Sequence, residues 1–135
     1  QHQKWDPSYI PVFFRRSIDF TAAPSQIDAQ KPDLIVWPET SVPMFLHAAD
    51  PAFDVILDVA DGTPVVVGIQ RLIGERLYNT LVYLDGSGEV AATYDKHHLV
   101  PFGEYIPLGD IASRFGWRGL ASGDGDGFSA DGRWR

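Results

Sequence analysis

The sequence predicts an α/β domain built on a mixed, partly parallel sheet, and three stretches carry that expectation. Leu34-Ile35-Val36-Trp37 and Val65-Val66-Val67-Gly68-Ile69 are short, uninterrupted apolar runs rich in β-branched residues, the pattern of strands buried on both faces of a sheet. Between them, Phe53, Ile56, Leu57 and Ala60 recur at helical spacing, so strand, helix and strand form a βαβ crossover with its strands parallel. Farther on, residues 77–84 and 89–94 flank Asp85-Gly86-Ser87-Gly88, a hairpin signal whose glycines supply positive φ and whose strands are antiparallel neighbours.

Composition bounds the class of function. A chain of 135 residues is long enough for one domain and hardly two. Its 44% apolar and 21% charged residues are ordinary for a globular protein. The net charge of −7 argues against a nucleic-acid partner, because phosphate binding needs a basic face, and no polybasic membrane patch is present. No window approaches the roughly 18 consecutive apolar residues of a membrane span, and the first residues lack a signal-peptide core, so the segment reads as soluble. The absence of cysteine removes disulfides, thiolate metal sites and a cysteine nucleophile from these residues.

In chain order, a helix is expected over residues 6–23, with Asp6 as N-cap, Pro7 at the first helical position, and Ile10, Phe14, Ile18 and Ala22 on one face. Pro11 is awkward inside it, so the helix starts later or kinks near Tyr9. Lys31-Pro32-Asp33 leads into the strand at residues 34–37, read as central and buried, and Pro38 stops it. Glu39 thus stands at the carboxyl end of a strand, where open α/β sheets place their chemistry, although a lone strand-end acid is usually just solvated. In the following loop Met44, Phe45 and Leu46 either tuck into the core or wall a site beside Glu39. Asp50 is read as the cap of the next helix, with Pro51 in its first turn, Asp54, Asp58 and Asp61 toward water, and Gly62 just past its end. Asn79 is read as a hairpin residue whose side chain satisfies nearby backbone groups.

The second hairpin strand runs out at Asp95-Lys96-His97-His98. On an extended segment the two histidines point to opposite faces, and no third ligand stands at a recognisable spacing, so no metal site is expected. Beyond Gly103 the periodicity dissolves into a Gly-rich stretch with at most one helical turn near residues 110–115, read over 105–135 as a loop or lid. Asp124-Gly125-Asp126-Gly127 is not a calcium loop, because the twelfth position holds Arg135 instead of a bidentate acid.

Two motifs sharpen the reading. Trp37-Pro38-Glu39-Thr40, followed by Lys96-His97-His98-Leu99-Val100-Pro101-Phe102-Gly103-Glu104-Tyr105-Ile106-Pro107, resembles the nitrilase (carbon–nitrogen hydrolase) superfamily, and within it the apolipoprotein N-acyltransferase branch. Trp5-Asp6-Pro7 and Tyr78-Asn79-Thr80 are similar to that branch as well, so the resemblance extends to about residue 123.

The resemblance implies a partial nitrilase-like α-β-β-α sandwich, a mixed sheet with helices on one face, lacking the first strand and the nucleophile strand; residues 1–135 form one incomplete domain. It also implies a Glu-Lys-Cys triad with no cofactor or metal. By motif, Glu39 matches the general base, Lys96 the residue that stabilises the oxyanion, and Glu104 a supporting acid, while the cysteine lies on a strand downstream of this chain. Met44, Phe45 and Tyr105 are the candidates on the substrate side. The implied reaction moves an acyl chain from a phospholipid, through a cysteine thioester, to the N-terminal amine of a diacylglyceryl lipoprotein, on the periplasmic side of a bacterial inner membrane reached through segments absent here. Alone, this internal piece is expected to be inactive and, with sheet edges unpaired, prone to self-association. The alternatives are a soluble nitrilase-family amidase acting on small amides or nitriles, and a non-catalytic α/β interaction module.

Overall fold

The computed structural model describes residues 7–25 and 30–98. The proposed Asp6 cap, Glu104, Tyr105 and the Gly-rich stretch at 105–135 lie outside the described residues. A short 3₁₀ turn, Pro7–Tyr9, leads into helix α1, Ile10–Ala22. The helix therefore starts late, as Pro11 requires: its missing N–H falls where no intrahelical partner exists. Strand β1, Ile35–Val36, is followed by helix α2, Asp50–Ala60, and by strands β2, Val65–Ile73, β3, Arg76–Leu84, and β4, Val90–Asp95.

Among the described residues the sheet order is β1-β2-β3-β4, with β1 parallel to β2 and the other pairings antiparallel. The βαβ crossover and the hairpin around residues 85–88 stand as expected. A second hairpin, between β2 and β3, was not anticipated. It turns at Gly74-Glu75 between paired Ile73 and Arg76, with Gly74 at φ 60°, a conformation that a two-residue hairpin loop needs and glycine adopts without penalty.

Helix α2 begins one residue from the anticipated cap. Ala49 is its N-cap and offers no side-chain hydrogen bond, while Asp50 is the first helical residue, where its charge faces the positive end of the helix dipole. The helix ends where Asp61 and Gly62 both turn to positive φ.

The core lies between the sheet and the two helices, which share one face. Val65, Val67 and Ile69 of β2 and Val82 and Leu84 of β3 point into it, where they meet Ala52, Phe53, Ile56 and Ala60 of α2 and Ile18 of α1. The buried positions alternate along β2 and β3 because successive side chains of a strand point to opposite faces.

Strand β1 departs most from expectation. Only two of its residues pair, it forms an edge of the described sheet, and Val36 is 66% exposed. An apolar run states that a strand can be buried on both faces, but burial needs a neighbour on each side, and only β2 flanks it here.

The hairpin between β3 and β4 is held by Asp85, whose Oδ1 accepts hydrogen bonds from the Ser87 hydroxyl, the Ser87 amide and the Glu89 amide. These bonds, led by the Ser87 hydroxyl, hold the Asp85 carboxyl below the ordinary carboxylate range. A lowered folded value means that the stabilisation is present above the ordinary carboxylate pKa and is lost as the pH falls through the lowered value. Asp85→Ala is accordingly expected to lower the thermal midpoint at neutral pH, with the gap from the unsubstituted chain closing in acid. Parallel melting curves with a constant gap down to strongly acidic pH would contradict this.

Candidate active site

Trp37 fixes the start of the site segment. Its indole is buried, stands edge-on to Phe14 at 5.7 Å between ring centres, and donates its N–H to the Thr21 hydroxyl at 2.9 Å. A buried indole needs such an acceptor, so Trp37 ties the end of β1 to helix α1. Pro38 then ends the strand, and the chain bulges over the face of β2 at Gly68 before running on beside the same edge, where Phe45 bridges Gln70. A Cβ at Gly68 would lie 2.6 Å from the Thr40 nitrogen, 2.7 Å from the Glu39 Cα and 2.8 Å from the Pro38 oxygen, so no side chain fits there. Past Glu39, Thr40 has φ 52°, a left-handed conformation that a β-branched residue rarely adopts. That strain, on the order of 1–3 kcal/mol, is opposed by the Ser41 and Val42 amides, which both donate to the Gly68 carbonyl at 2.9 and 3.2 Å.

The crossing lays Glu39 against the face of the sheet opposite the helices. Lys96, just past β4, reaches the same face, and its Nζ lies 3.2 Å from Glu39 Oε1. The Lys96 backbone is set by its N–H, which donates to the Asn79 carbonyl at 2.8 Å and extends the β3–β4 ladder by one residue. The Asn79 side-chain amide donates to the same Glu39 Oε1. Asn79 is only 5% exposed, and it interrupts the alternation of β3 because it is buried on the face away from the helices.

Asn79 thus bonds a side chain 40 residues away, where the sequence suggested a local backbone partner. One signal was available: asparagine is depleted in strands, and this one sits inside an apolar strand pattern. Gly68 carried a comparable signal, since a glycine inside a strand run marks a close backbone approach.

Behind this cluster, on the helix face, Asp95 is 1% exposed, accepts a hydrogen bond from the Thr80 hydroxyl at 2.6 Å and pairs with Arg71. The Arg71 guanidinium also lies 5.7 Å from the centre of the Tyr78 ring. Asp95 immediately precedes Lys96 and Thr80 immediately follows Asn79 in sequence, so the buried Thr80–Asp95 bond anchors the middle of β3 and the end of β4, which present the site.

Of the other candidates, Met44 and Leu46 are partly buried and pack against the core, while Phe45 is exposed and stacks on His47 at 5.9 Å. The Phe45 backbone bridges Gln70, the partner of Asn79 across β2 and β3, so Phe45 lies on the same row of the sheet as Asn79. The His97 and His98 rings do not point apart. They meet edge-to-face at 4.8 Å, past the end of β4, where the chain bends at His98.

A carboxylate, an ammonium and a buried amide converging on one point offer a proton acceptor, a fixed cation and an orienting donor, the parts needed to activate a nucleophile and hold a developing anion. A family model described as carbon-nitrogen hydrolase matches residues 13–128 of this chain. The chain belongs to that family. Apolipoprotein N-acyltransferases of Sinorhizobium fredii and Rhizobium meliloti are each 38% identical to this carbon-nitrogen hydrolase chain over 96% of its length. That of Agrobacterium fabrum is 36% identical over 87%. The chain spans 26% of the length of the first two and 23% of the third.

Crystal structures of an N-terminal amidase, one without and one with an Asn-Glu-Ala peptide, superpose with TM-scores of 0.53 and 0.52 at 19% and 20% identity. Each superposition covers 68% of this chain and 26% of the amidase. The likeness shows the fold: the mixed sheet with its helices on one face is part of a nitrilase-like architecture.

Proposed function

We propose that this segment supplies the base and the oxyanion-stabilising cation of an apolipoprotein N-acyltransferase, whose nucleophilic cysteine lies outside these 135 residues. The observation that carries the reading is the meeting of Glu39 and Lys96 at 3.2 Å, from positions 57 residues apart that the two motifs single out. Relatives named apolipoprotein N-acyltransferase, matched over nearly the whole chain, favour this branch over a small-amide hydrolase.

In the proposed reaction Glu39 takes the thiol proton, and the thiolate attacks the ester carbonyl of a phospholipid. The Lys96 ammonium stabilises the tetrahedral oxyanion, and the lysophospholipid leaves as an alcohol, carrying away the proton held by Glu39. The free α-amine of a diacylglyceryl-cysteine lipoprotein then attacks the thioester: a C–N bond forms, the C–S bond breaks, and Glu39 takes the amine proton and returns it to the departing thiolate. Phe45, exposed on the row of Asn79, is proposed to contact the acyl chain.

Glu104 is proposed as a supporting acid and Tyr105 as a substrate-side residue, both on the motif alone. The catalytic face is proposed to lie on the periplasmic side of the inner membrane; no helix among the described residues is long and apolar enough to cross a membrane. Residues 1–135 are read as one incomplete nitrilase-like domain. Leu34 and Val36, exposed at the β1 edge, favour self-association of the isolated chain.

The test supplies the full-length protein carrying this segment with acyl-labelled phospholipid, and separately with small amides. A labelled protein thioester that is discharged by a diacylglyceryl lipopeptide is the expected result. Hydrolysis of small amides without thioester formation from phospholipid would replace this reading with that of an amidase.

A further inference from the structure

We infer that Asn79 is a positioning residue that makes Oε2 of Glu39 the proton-accepting atom; the inference rests on the reading of Glu39 as the base. Two donors converge on Oε1, the Asn79 amide and the Lys96 ammonium. Among the described residues no donor reaches Oε2. An ionised carboxylate has lone pairs on both oxygens, and a new proton goes to the oxygen whose lone pairs are not already taken by hydrogen bonds. When the thiol S–H bond breaks, its electron pair stays on sulfur and the proton forms an O–H bond at Oε2. Oε1 keeps both donors throughout, so the carboxyl group does not turn as it changes charge.

Lys96 cannot impose this alone. Its ammonium is a point charge on a flexible stem with three rotatable donors and can follow the carboxylate to either oxygen. The Asn79 side chain is confined by burial and by its place in the middle of β3, between Tyr78 and Thr80, which are buried on either side of it. A buried amide is costly without a partner, and the side-chain hydrogen bond Asn79 makes among the described residues is the one to Glu39. Its orientation is settled by chemistry, since the amide oxygen would face a carboxylate oxygen with no proton between them. The same residue holds Lys96 through its backbone carbonyl. Asn79 therefore sets the lateral position of the cation and the rotation of the base together.

Two measurements separate this inference from the acyl-transfer reading. In the full-length protein carrying ¹⁵N-labelled asparagine side chains, Glu39→Gln is expected to move the Asn79 side-chain amide resonances, identified by their absence in Asn79→Leu. Resonances indifferent to Glu39→Gln overturn the inference whatever the substrate. In the full-length protein, Asn79→Leu keeps the shape and burial of the side chain but removes the donor. It is expected to lower kcat for thioester formation about 10²-fold, the scale of a small misplacement of a catalytic group, with KM and thermal midpoint little changed. A kcat within about twofold of the unsubstituted protein, on a scale where tenfold is one decade of rate, overturns the inference. A proportional loss of kcat and thermal midpoint, restored together at lower temperature, also overturns it in favour of a packing role. An unsubstituted protein that forms no thioester defeats the acyl-transfer reading instead, and the resonance measurement still decides whether Asn79 holds Glu39.

Discussion

Replacing Glu39 with alanine in the full-length protein is expected to slow thioester formation by about 10²–10⁴-fold, the range contributed by a positioned general base. Lys96→Ala is expected to cost about 10²–10³-fold, as removal of an oxyanion donor does. Neither loss should come from unfolding. The Glu39 side chain is 56% exposed and that of Lys96 32%, and such ion pairs contribute only about 0–1 kcal/mol to stability. In the proposed mechanism the two residues act on one thiol and one tetrahedral centre, so the double variant should be little slower than the worse single one. Lys96→Arg should not restore the rate, because a planar guanidinium presents its donors in a different geometry from a compact ammonium. The measurement is the initial rate of labelled-thioester formation, read beside the thermal midpoint. Near-normal thioester formation in either alanine variant, with the midpoint unchanged, removes that residue from the mechanism.

How much of this was legible in the sequence depended on how local each determinant is. Helix α2 was readable because Pro51, the spacing of Phe53, Ile56 and Ala60, and Gly62 all lie within one segment and agree with one another. Glu39 and Lys96 were readable as motif residues, but their meeting at 3.2 Å was not, since it depends on the β2–β3–β4 register. Asn79 was misread for the same reason: its partner is fixed by which residue of the segment after β1 passes over Gly68, a tertiary fact that β3 alone does not encode. The Arg71–Asp95 pair spans 24 residues and connects β2 with β4 over the top of β3, so it too appears only once three strands are in register. Strand β1 failed in the opposite direction. Its apolar run was locally consistent, but Val36 is exposed because sheet burial belongs to a strand's neighbours and not to its own residues.

Gly68→Ala is the substitution expected to disturb the site most without touching any of its functional groups. The added methyl would meet backbone atoms of Pro38, Glu39 and Thr40 at 2.6–2.8 Å, and no flexible side-chain tip is there to yield. Either β2 or the crossing segment must move, at a cost of about 1–3 kcal/mol typical of overpacking. The crossing segment is the weaker of the two. Strand β2 is paired along its length with β3, whereas residues 38–42 are latched chiefly by two amides on the Gly68 carbonyl, with Thr40 already in a left-handed conformation. The displacement therefore falls on Glu39, and a shift of about 1 Å at a catalytic group can cost about 10²-fold in rate. Val67→Ala is the matched control: Val67 is fully buried on the helix face, and trimming it costs on the order of 2 kcal/mol through lost burial and a small cavity. At a temperature where both variants are folded, Gly68→Ala should lose thioester formation while Val67→Ala keeps it. If the two variants lose activity in proportion to stability alone, the close crossing at Gly68 has no special hold on Glu39, and the base is positioned by Asn79 and Lys96 without it.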